Sequence, residues 1–369
     1  MFMLEIKTKK YVIMAGGTGG HVIPGIALAK ELIQQGHQVS WIGTSSGIEA
    51  QLVPAQQIAF YAIDIKSLRG KGLLRKLLMP ILLLKAILQA SLILIKLKPT
   101  GVISMGGFVA GPGGIAAWIL GINLYVHEQN AVAGLTNRCL AKFAKKVFVA
   151  CAPTQKLKIS AHKIIETGNP VRAEIMAIPA PEKRAIGTHS RLRILVLGGS
   201  LGAKAINQIV PKALALIPDD KKPEVWHQSG AAHFAETQQC YLDNKVNANL
   251  VAYINDISKA YEFADMVICR AGALTVSELA AAGIASILIP FPHAVDDHQT
   301  KNAQFLTNAG AAILVSQHNL TPGYLAELIV KYSDHPDICL KMALCARALA
   351  KTDATAKMVD ALSVNYRLL

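Results

Sequence analysis

Residues 12–21 read VIMAGGTGGH and residues 194–203 read ILVLGGSLGA. Each is a short apolar run that turns through glycines into a helix-forming stretch. No other feature constrains the fold as strongly. Glycines let a backbone turn sharply and approach an anion, and the helix behind them offers unpaired N–H groups. Pro24 suits the opening turn of the first helix. Neither loop is GxGxxG and neither ends in GK[ST], which argues against a dinucleotide fingerprint or a P-loop. Either loop alone is also what a tight strand-to-helix turn needs. Two in equivalent places point to a ligand.

The surrounding pattern repeats as well. Tyr11–Ala15, Val39–Ile42, Gly101–Ser104, Leu124–His127 and Val147–Ala150 read as buried parallel strands. A polar stretch with Pro170, Pro179 and Pro181 follows. Then come Ile194–Leu197, Val225–His227, Leu250–Tyr253, Met266–Cys269 and Ser286–Ile289. Strand–helix alternation in both halves of a 369-residue chain predicts two doubly wound α/β domains, with the linker somewhere in 168–193. A third glycine-rich loop, Met105–Gly114, again leads from a strand into an apolar helix, Ile115–Leu120. Three such loops at strand ends predict a ligand cleft there. The first ten residues, MFMLEIKTKK, lack the apolar run of a signal peptide and suit a lead-in to the first strand. Six scattered cysteines without a CxxC read as reduced thiols, with no zinc site and no disulfide framework.

Charge is divided unevenly. The formal net charge is +14; residues 1–165 carry 19 Lys and Arg against 5 Asp and Glu, whereas residues 166–369 carry 19 of each. The whole excess therefore lies in the first half, and it predicts an anionic partner there. It concentrates in residues 66–98, KSLRGKGLLRKLLMPILLLKAILQASLILIKLK, with eight basic residues and no acid. Leu77–Ile95 is long enough to span a bilayer, but Pro80 and Lys85 interrupt it and it lies between predicted strands of one domain. On a helical wheel Lys71, Arg75, Lys85, Gln89 and Lys96 share a side with Leu78, Leu82 and Ile93. Leucines among lysines on an outward face suit docking on an anionic membrane surface. Lys71, Leu74, Arg75, Leu78, Leu82 and Lys85 are the residues expected to meet it. The other reading is a core helix with a solvated basic edge. Nucleic acid fits less well: aromatics are 6% and none lies in this segment to stack on bases.

Several polar residues sit where chemistry could occur. His21 follows the first glycine loop and is placed to act as a base, or simply to cap or pack the helix. His127–Asn130 (HEQN) ends a predicted strand; Ala131 stands where HExxH needs its second histidine, so a zinc protease is excluded. In Ile268–Leu279, a strand runs through Gly272 into a helix. Arg270 is a candidate phosphate or base contact there, and Thr275 and Ser277 either bind ligand or cap the helix. Glu278 is a dipole partner or an acceptor for ribose hydroxyls. Asp296, Asp297, His298, Gln299 and Asn302 suit sugar hydroxyls better than a metal, since adjacent residues rarely converge on one ion.

Taken together, MAGGTGGHVIPG, LRGKG, GGFVAGPGG, HEQNAVAGLTNR, GNPVR, GGSLGA, WHQSG, CRAGALTVSELAAAG and DDHQTKNA, in this order, closely resemble the MurG family. These are the membrane-associated N-acetylglucosaminyltransferases of peptidoglycan synthesis. The resemblance covers nearly the whole chain and is weakest over 173–192. It implies a GT-B glycosyltransferase, two Rossmann-like doubly wound domains facing a cleft. Residues 1–169 with 350–369 would form the acceptor and membrane-associating domain, and 170–349 the donor domain. The implied reaction moves N-acetylglucosamine from UDP-N-acetylglucosamine to the 4-hydroxyl of lipid I, with inversion, and yields lipid II.

Carried over by position, Ser200 would hold a UDP phosphate, Ile254 the uracil through its backbone, and Glu278 the ribose. Ala273, Leu274, Thr275, Val276 and Ser277 would line the nucleotide; Gln299 and Asn302 would read the sugar; Arg172 and Arg270 belong to the donor side. Thr18, Gly19, Gly20, His21 and Asn130 would face the reacting sugar and the acceptor diphosphate. His21 is the first candidate base and Glu128 the second. No cofactor or metal is implied. The expected place is the cytoplasmic face of the cell membrane, peripherally, beside other cell-wall synthesis proteins. A diacylglycerol glycosyltransferase and a UDP-N-acetylglucosamine 2-epimerase are the alternatives on the same fold.

Overall fold

The computed structural model describes residues 8–65, 79–199 and 202–363. The chain divides into two units, Met1–Arg172 with Asp353–Leu369, and Ala173–Thr352. Lys71, Leu74, Arg75, Leu78 and Ser200 lie outside the described residues.

The first unit holds a seven-stranded sheet in the order β3-β2-β1-β4-β5-β6-β7, parallel throughout. Its strands are β1 (Lys10–Met14), β2 (Gln38–Gly43), β3 (Ala59–Ala62), β4 (Gly101–Ser104), β5 (Asn123–Glu128), β6 (Lys146–Val149) and β7 (Ile164–Glu166). Side chains alternate across a strand, so β1 feeds two cores. Tyr11 and Ile13 join Trp41, Ile103 and Phe148 on one face; Val12 and Met14 join Ile42, Val102 and Val126 on the other. Both faces are buried, which is why the central strands read as unbroken apolar runs.

Helix Gly19–Gln34 covers the first face with Val22, Leu28, Ala29 and Leu32. Beside it lies the C-terminal helix Ala354–Ser363, which buries Met358, Val359 and Leu362 in the same core. The Tyr11 hydroxyl donates to the Leu362 carbonyl at 3.1 Å. Helices Met79–Leu97 and Ala110–Ile119 cover the opposite face.

The second unit repeats the plan with six parallel strands, β10-β9-β8-β11-β12-β13. These are β8 (Arg193–Leu197), β9 (Glu224–Gln228), β10 (Asn249–Val251), β11 (Met266–Cys269), β12 (Ala285–Leu288) and β13 (Ala312–Leu314). In each sheet the strand order reverses once, between β1 and β4 and between β8 and β11. Crossovers on either side of such a point run to opposite faces, which leaves a crevice at the strands' carboxyl ends. All three glycine loops and the Arg270–Gly272 turn leave these four strands.

Ten strands expected from the apolar runs are present within a residue or two. Three others, β3, β7 and β13, are edge strands. Each keeps one side unpaired and is at most partly buried.

Gly25 shows how closely the first helix sits on the sheet. A Cβ there would lie 2.6 Å from the buried Trp41 ring, and Trp41 is itself tied to the end of β1 through its Nε1, which donates to Ala15 O at 3.0 Å. Gly25→Ala is therefore expected to destabilise the first unit by about 1–3 kcal/mol through overpacking. Urea unfolding followed by fluorescence in a variant whose only tryptophan is Trp41 measures this, and an unchanged midpoint would show that the helix can slide away.

Candidate active site

In the first unit, two loops meet at the point where the strand order reverses. Gly107 has φ +83°, and a Cβ on it would stand 2.4 Å from the carbonyl oxygen of Gly16. Only glycine permits both the conformation and the approach. The first loop is held from beneath by Glu49, a fully buried carboxylate. It accepts from Gly17 N at 3.2 Å, Thr44 N at 3.0 Å and Thr44 Oγ1 at 2.7 Å. Thr18 and Gly20 are exposed at the mouth of helix Gly19–Gln34, and Thr18 is its N-cap residue without a side-chain bond to the helix.

His21 stands in the first turn of that helix, half-buried. Its Nδ1 lies 3.0 Å from Met105 O and 3.3 Å from Gln129 Oε1. A carbonyl can only accept, so Nδ1 carries the proton, and in the neutral ring Nε2 keeps its lone pair. Gln129 Nε2 donates to the same Met105 carbonyl at 2.6 Å. Gly106, at φ +93°, lets the third loop pass within van der Waals range of the His21 ring.

Glu128 has a different task from the one that the base reading gave it. It is 1% exposed. One oxygen accepts from Asn130 N at 2.9 Å and Asn130 Nδ2 at 3.1 Å; the other accepts from Gly134 N at 3.0 Å and Asn137 Nδ2 at 2.9 Å. Four donors fill the carboxylate. Glu128 and Asn130 instead shape the loop that carries Gln129.

In the second unit, Gly199 and Gly202 have φ +75° and +79°. A Cβ on Gly202 would stand 2.4 Å from Ser229 O, the same close approach as in the first unit. Ser229 O also accepts from Asn207 Nδ2 at 2.9 Å. Asn207 Oδ1 then accepts from His227 Nε2 at 3.0 Å, and His227 Nδ1 accepts from the Tyr241 hydroxyl at 2.9 Å. Burial pushes His227 down to about 3, so this relay is neutral at physiological pH. Gln228 joins two edges of the site: its Nε2 donates to Gly199 O at 3.2 Å and its Oε1 accepts from Ile254 N at 2.9 Å. The N–H of Ile254, a residue expected at the uracil, is thus engaged by Gln228.

Helix Ala273–Ala282 begins at Gly272, and its first N–H groups have no partner within the helix. Ala273, Thr275 and Ser277 are half-exposed, whereas Leu274 and Val276 point into the core. Leu274 and Val276 can therefore line a ligand only through their backbone. Glu278 is buried and accepts from the Tyr261 hydroxyl at 3.1 Å.

Arg270 is turned toward protein rather than outward. It donates to Ile289 O and Pro290 O, each at 3.1 Å, and to Gln317 Oε1 at 2.6 Å, and it stacks 5.5 Å from the Phe291 ring centroid. It fixes the turn after β12. Gln299 Oε1 accepts from Phe291 N at 2.9 Å in the same turn, and buried Asn302 donates to Ala271 O at 3.3 Å. These expected sugar and phosphate contacts hold the loops of the site together. Asp296 and Asp297 adopt left-handed backbone angles in the turn before helix His298–Thr307. Among the described residues no cluster of three or more His, Cys, Asp or Glu side chains could hold a metal ion. Arg172 ends the first segment of the first unit, Met1–Arg172.

Residues that the motifs did not single out complete both sites. Glu49 gives no signal beyond being an acid between apolar residues. Asn207 lies one or two turns beyond the second glycine loop, where polar residues are common and carry no spacing rule, and Gln228 ends β9 within WHQSG, a motif that assigns it no role.

Two family descriptions match the chain in succession: the glycosyltransferase family 28 N-terminal domain over residues 11–149 and its C-terminal domain over 193–358. With two Rossmann-like units, they define a GT-B glycosyltransferase. The UDP-N-acetylglucosamine–N-acetylmuramyl-(pentapeptide) pyrophosphoryl-undecaprenol N-acetylglucosamine transferase of Marinobacter nauticus is 48% identical over 97% of this chain and 98% of its own. The crystal structure of Acinetobacter baumannii MurG superposes with a TM-score of 0.79 at 42% identity, covering 96% of this chain and 99% of that one. The chain belongs to the MurG family. The UDP-GlcNAc 2-epimerase of Neisseria meningitidis, at 15% identity and a TM-score of 0.68 over 96% of this chain and 99% of its own, shares the fold alone.

Two buried imidazoles make acid stability predictable. His127, whose Nε2 donates to Gly168 O at 3.0 Å, is pushed down to about 4 by burial, and His227 to about 3. Both stay neutral when folded, while the unfolded chain takes up their protons below about pH 6.5. Stability is therefore full above that pH and falls toward pH 4, by at most about 1.4 kcal/mol per pH unit for each histidine. His227→Gln should flatten this slope by up to one proton in urea unfolding at pH 4.5–6. An unaltered slope would mean that His227 is not held neutral.

Proposed function

We propose that this chain transfers N-acetylglucosamine from UDP-N-acetylglucosamine to the 4-hydroxyl of the N-acetylmuramoyl unit of lipid I, an undecaprenyl-diphosphate-linked acceptor. The product is lipid II. The observation that carries the mechanism is the fixed tautomer of His21. Its Nε2 lone pair sits at the head of a glycine loop and a helix N-terminus, where an acceptor diphosphate and a hydroxyl can be bound together.

The step is a single displacement. The acceptor oxygen bonds to the anomeric carbon as the bond from that carbon to the diphosphate oxygen breaks. The hydroxyl proton passes to His21 Nε2, and the bonding pair leaves with UDP. Inversion follows from attack opposite the leaving group. Negative charge develops on the diphosphate, and prepositioned N–H groups can stabilise it without reorganisation. The second glycine loop and the start of helix Ala273–Ala282 supply such groups, with Thr275 and Ser277 beside them. Glu278, braced by Tyr261, takes the ribose. A 2-epimerase needs neither a lipid acceptor nor a base set for a foreign hydroxyl.

Helix Met79–Leu97 gives the acceptor's bilayer a docking surface. By length and composition it could cross a membrane. One face, Ala86, Ala90 and Leu94, is built into the core of the first unit. The opposite face carries Ile81, Leu84, Leu88, Leu92 and Ile95, each 54–69% exposed. The helix therefore lies on the bilayer rather than spanning it. The outward ridge is aliphatic and differs from the basic wheel face expected from the sequence. Lys85 stands at its flank, 2.9 Å from Asp64, and Gln89 bonds the same Asp64. Leu82 lies beside the ridge, 38% exposed. The position is peripheral, on the cytoplasmic face of the cell membrane.

Two measurements test this. With labelled UDP-N-acetylglucosamine and a lipid I analogue, His21→Ala should lower kcat by about 10²–10⁴ and leave KM for the donor nearly unchanged. Epimerisation without transfer, or transfer only to diacylglycerol, would overturn the assignment. Replacing Leu84, Leu88 and Leu92 together by serine should weaken binding to phosphatidylglycerol vesicles at least about tenfold, since a buried leucine is worth roughly 1.5–3 kcal/mol. UDP binding should persist; equal vesicle binding would remove the ridge from the membrane contact.

A further inference from the structure

We propose that Gln129 is the positioning residue of the base, an amide that fixes the tautomer and direction of His21. The inference rests on His21 acting as base. Three contacts carry it. Met105 O accepts from His21 Nδ1 at 3.0 Å and from Gln129 Nε2 at 2.6 Å, and Gln129 Oε1 stands 3.3 Å from His21 Nδ1. The amide therefore has one orientation: its NH2 must face the carbonyl, which places its oxygen toward the imidazole. Both groups near Nδ1 accept, so the proton is held there from two sides and Nε2 is left to receive the acceptor's proton.

The parts around Gln129 keep it in place. The residue is 3% exposed at the end of β5. Its own carbonyl accepts from Asn169 Nδ2 at 3.2 Å. The loop behind it is tied down by the four bonds to Glu128. A nucleophile–base pair is commonly completed by a third group that orients the base, and that group is often a carboxylate. Here it is a neutral amide. The nearest carboxylate in the sequence, Glu128, points into its own loop and is already filled. A neutral orienter fixes the ring without adding a negative charge beside a diphosphate-bearing acceptor, where such a charge would repel the substrate.

The test is a double-mutant cycle on the full-length enzyme, using UDP-N-acetylglucosamine and a lipid I analogue. Gln129→Met keeps the side chain's length and removes both hydrogen bonds. It should lower kcat about tenfold to a hundredfold and move KM for the donor by less than about twofold. In a His21→Ala background the same change should cost nothing further, because the two act as a unit. An equal loss in both backgrounds would make Gln129 a merely structural residue and overturn the proposal. So would a raised KM with kcat intact.

A second measurement does not depend on the variant folding. In the wild-type protein labelled with ¹⁵N-histidine, the resonance lost in His21→Ala should report Nδ1–H and a bare Nε2. An Nε2–H tautomer would overturn the proposal. Wild-type kcat in His21→Ala would remove the base reading itself and this inference with it, whatever the tautomer.

Discussion

The carbonyl of Gly16 and the α-carbon of Gly107 lie too close for any side chain between them, and the first site depends on that contact. It brings the loop after β1 against the loop after β4. Those strands are neighbours because the sheet order reverses between them. Once the loops touch, Met105 O comes within reach of His21, and the end of β5 brings Gln129 to the same carbonyl. One backbone oxygen thus organises residues from three strands. Glu49 and Glu128 support the arrangement from below, each an acid made tolerable in the interior by several N–H or O–H donors.

The second unit solves the same problem with different side chains. Gly202 approaches Ser229 O as Gly107 approaches Gly16 O. Beneath it runs a neutral relay, Tyr241 to His227 to Asn207, instead of a buried carboxylate. Gln228 then ties this loop to the Ile254 segment, so the two share one side chain.

The surface of the first unit has a similar division. The sequence places an excess of basic residues in the first half, and the fold adds an aliphatic ridge on helix Met79–Leu97. Neither alone makes a good membrane contact. In general, charge draws a protein to an anionic surface, and apolar side chains entering the interface hold it there.

The sequence by itself determined the two parallel α/β units, because buried strands with helices on both faces must read as apolar runs joined by glycine turns. It also determined the family, through nine motifs in order, and singled out His21 and the HEQN tract. The edge strands β3, β7 and β13 are not among the ten read from it; they are short, and most of their residues are half-exposed or exposed. Nor could the sequence tell apart polar residues that touch ligand from those that hold the loops. Glu128, Arg270 and Asn302 stand within the motifs, yet their side chains turn inward to backbone groups. Glu49 and Asn207 stand outside the motifs and support both sites. The outward face of helix Met79–Leu97 was likewise settled by packing: once Ala86, Ala90 and Leu94 entered the core, the leucines opposite had to face out. Those are decisions of tertiary structure, because a hydrogen bond depends on where two distant strands end, and a spacing along the chain does not record that.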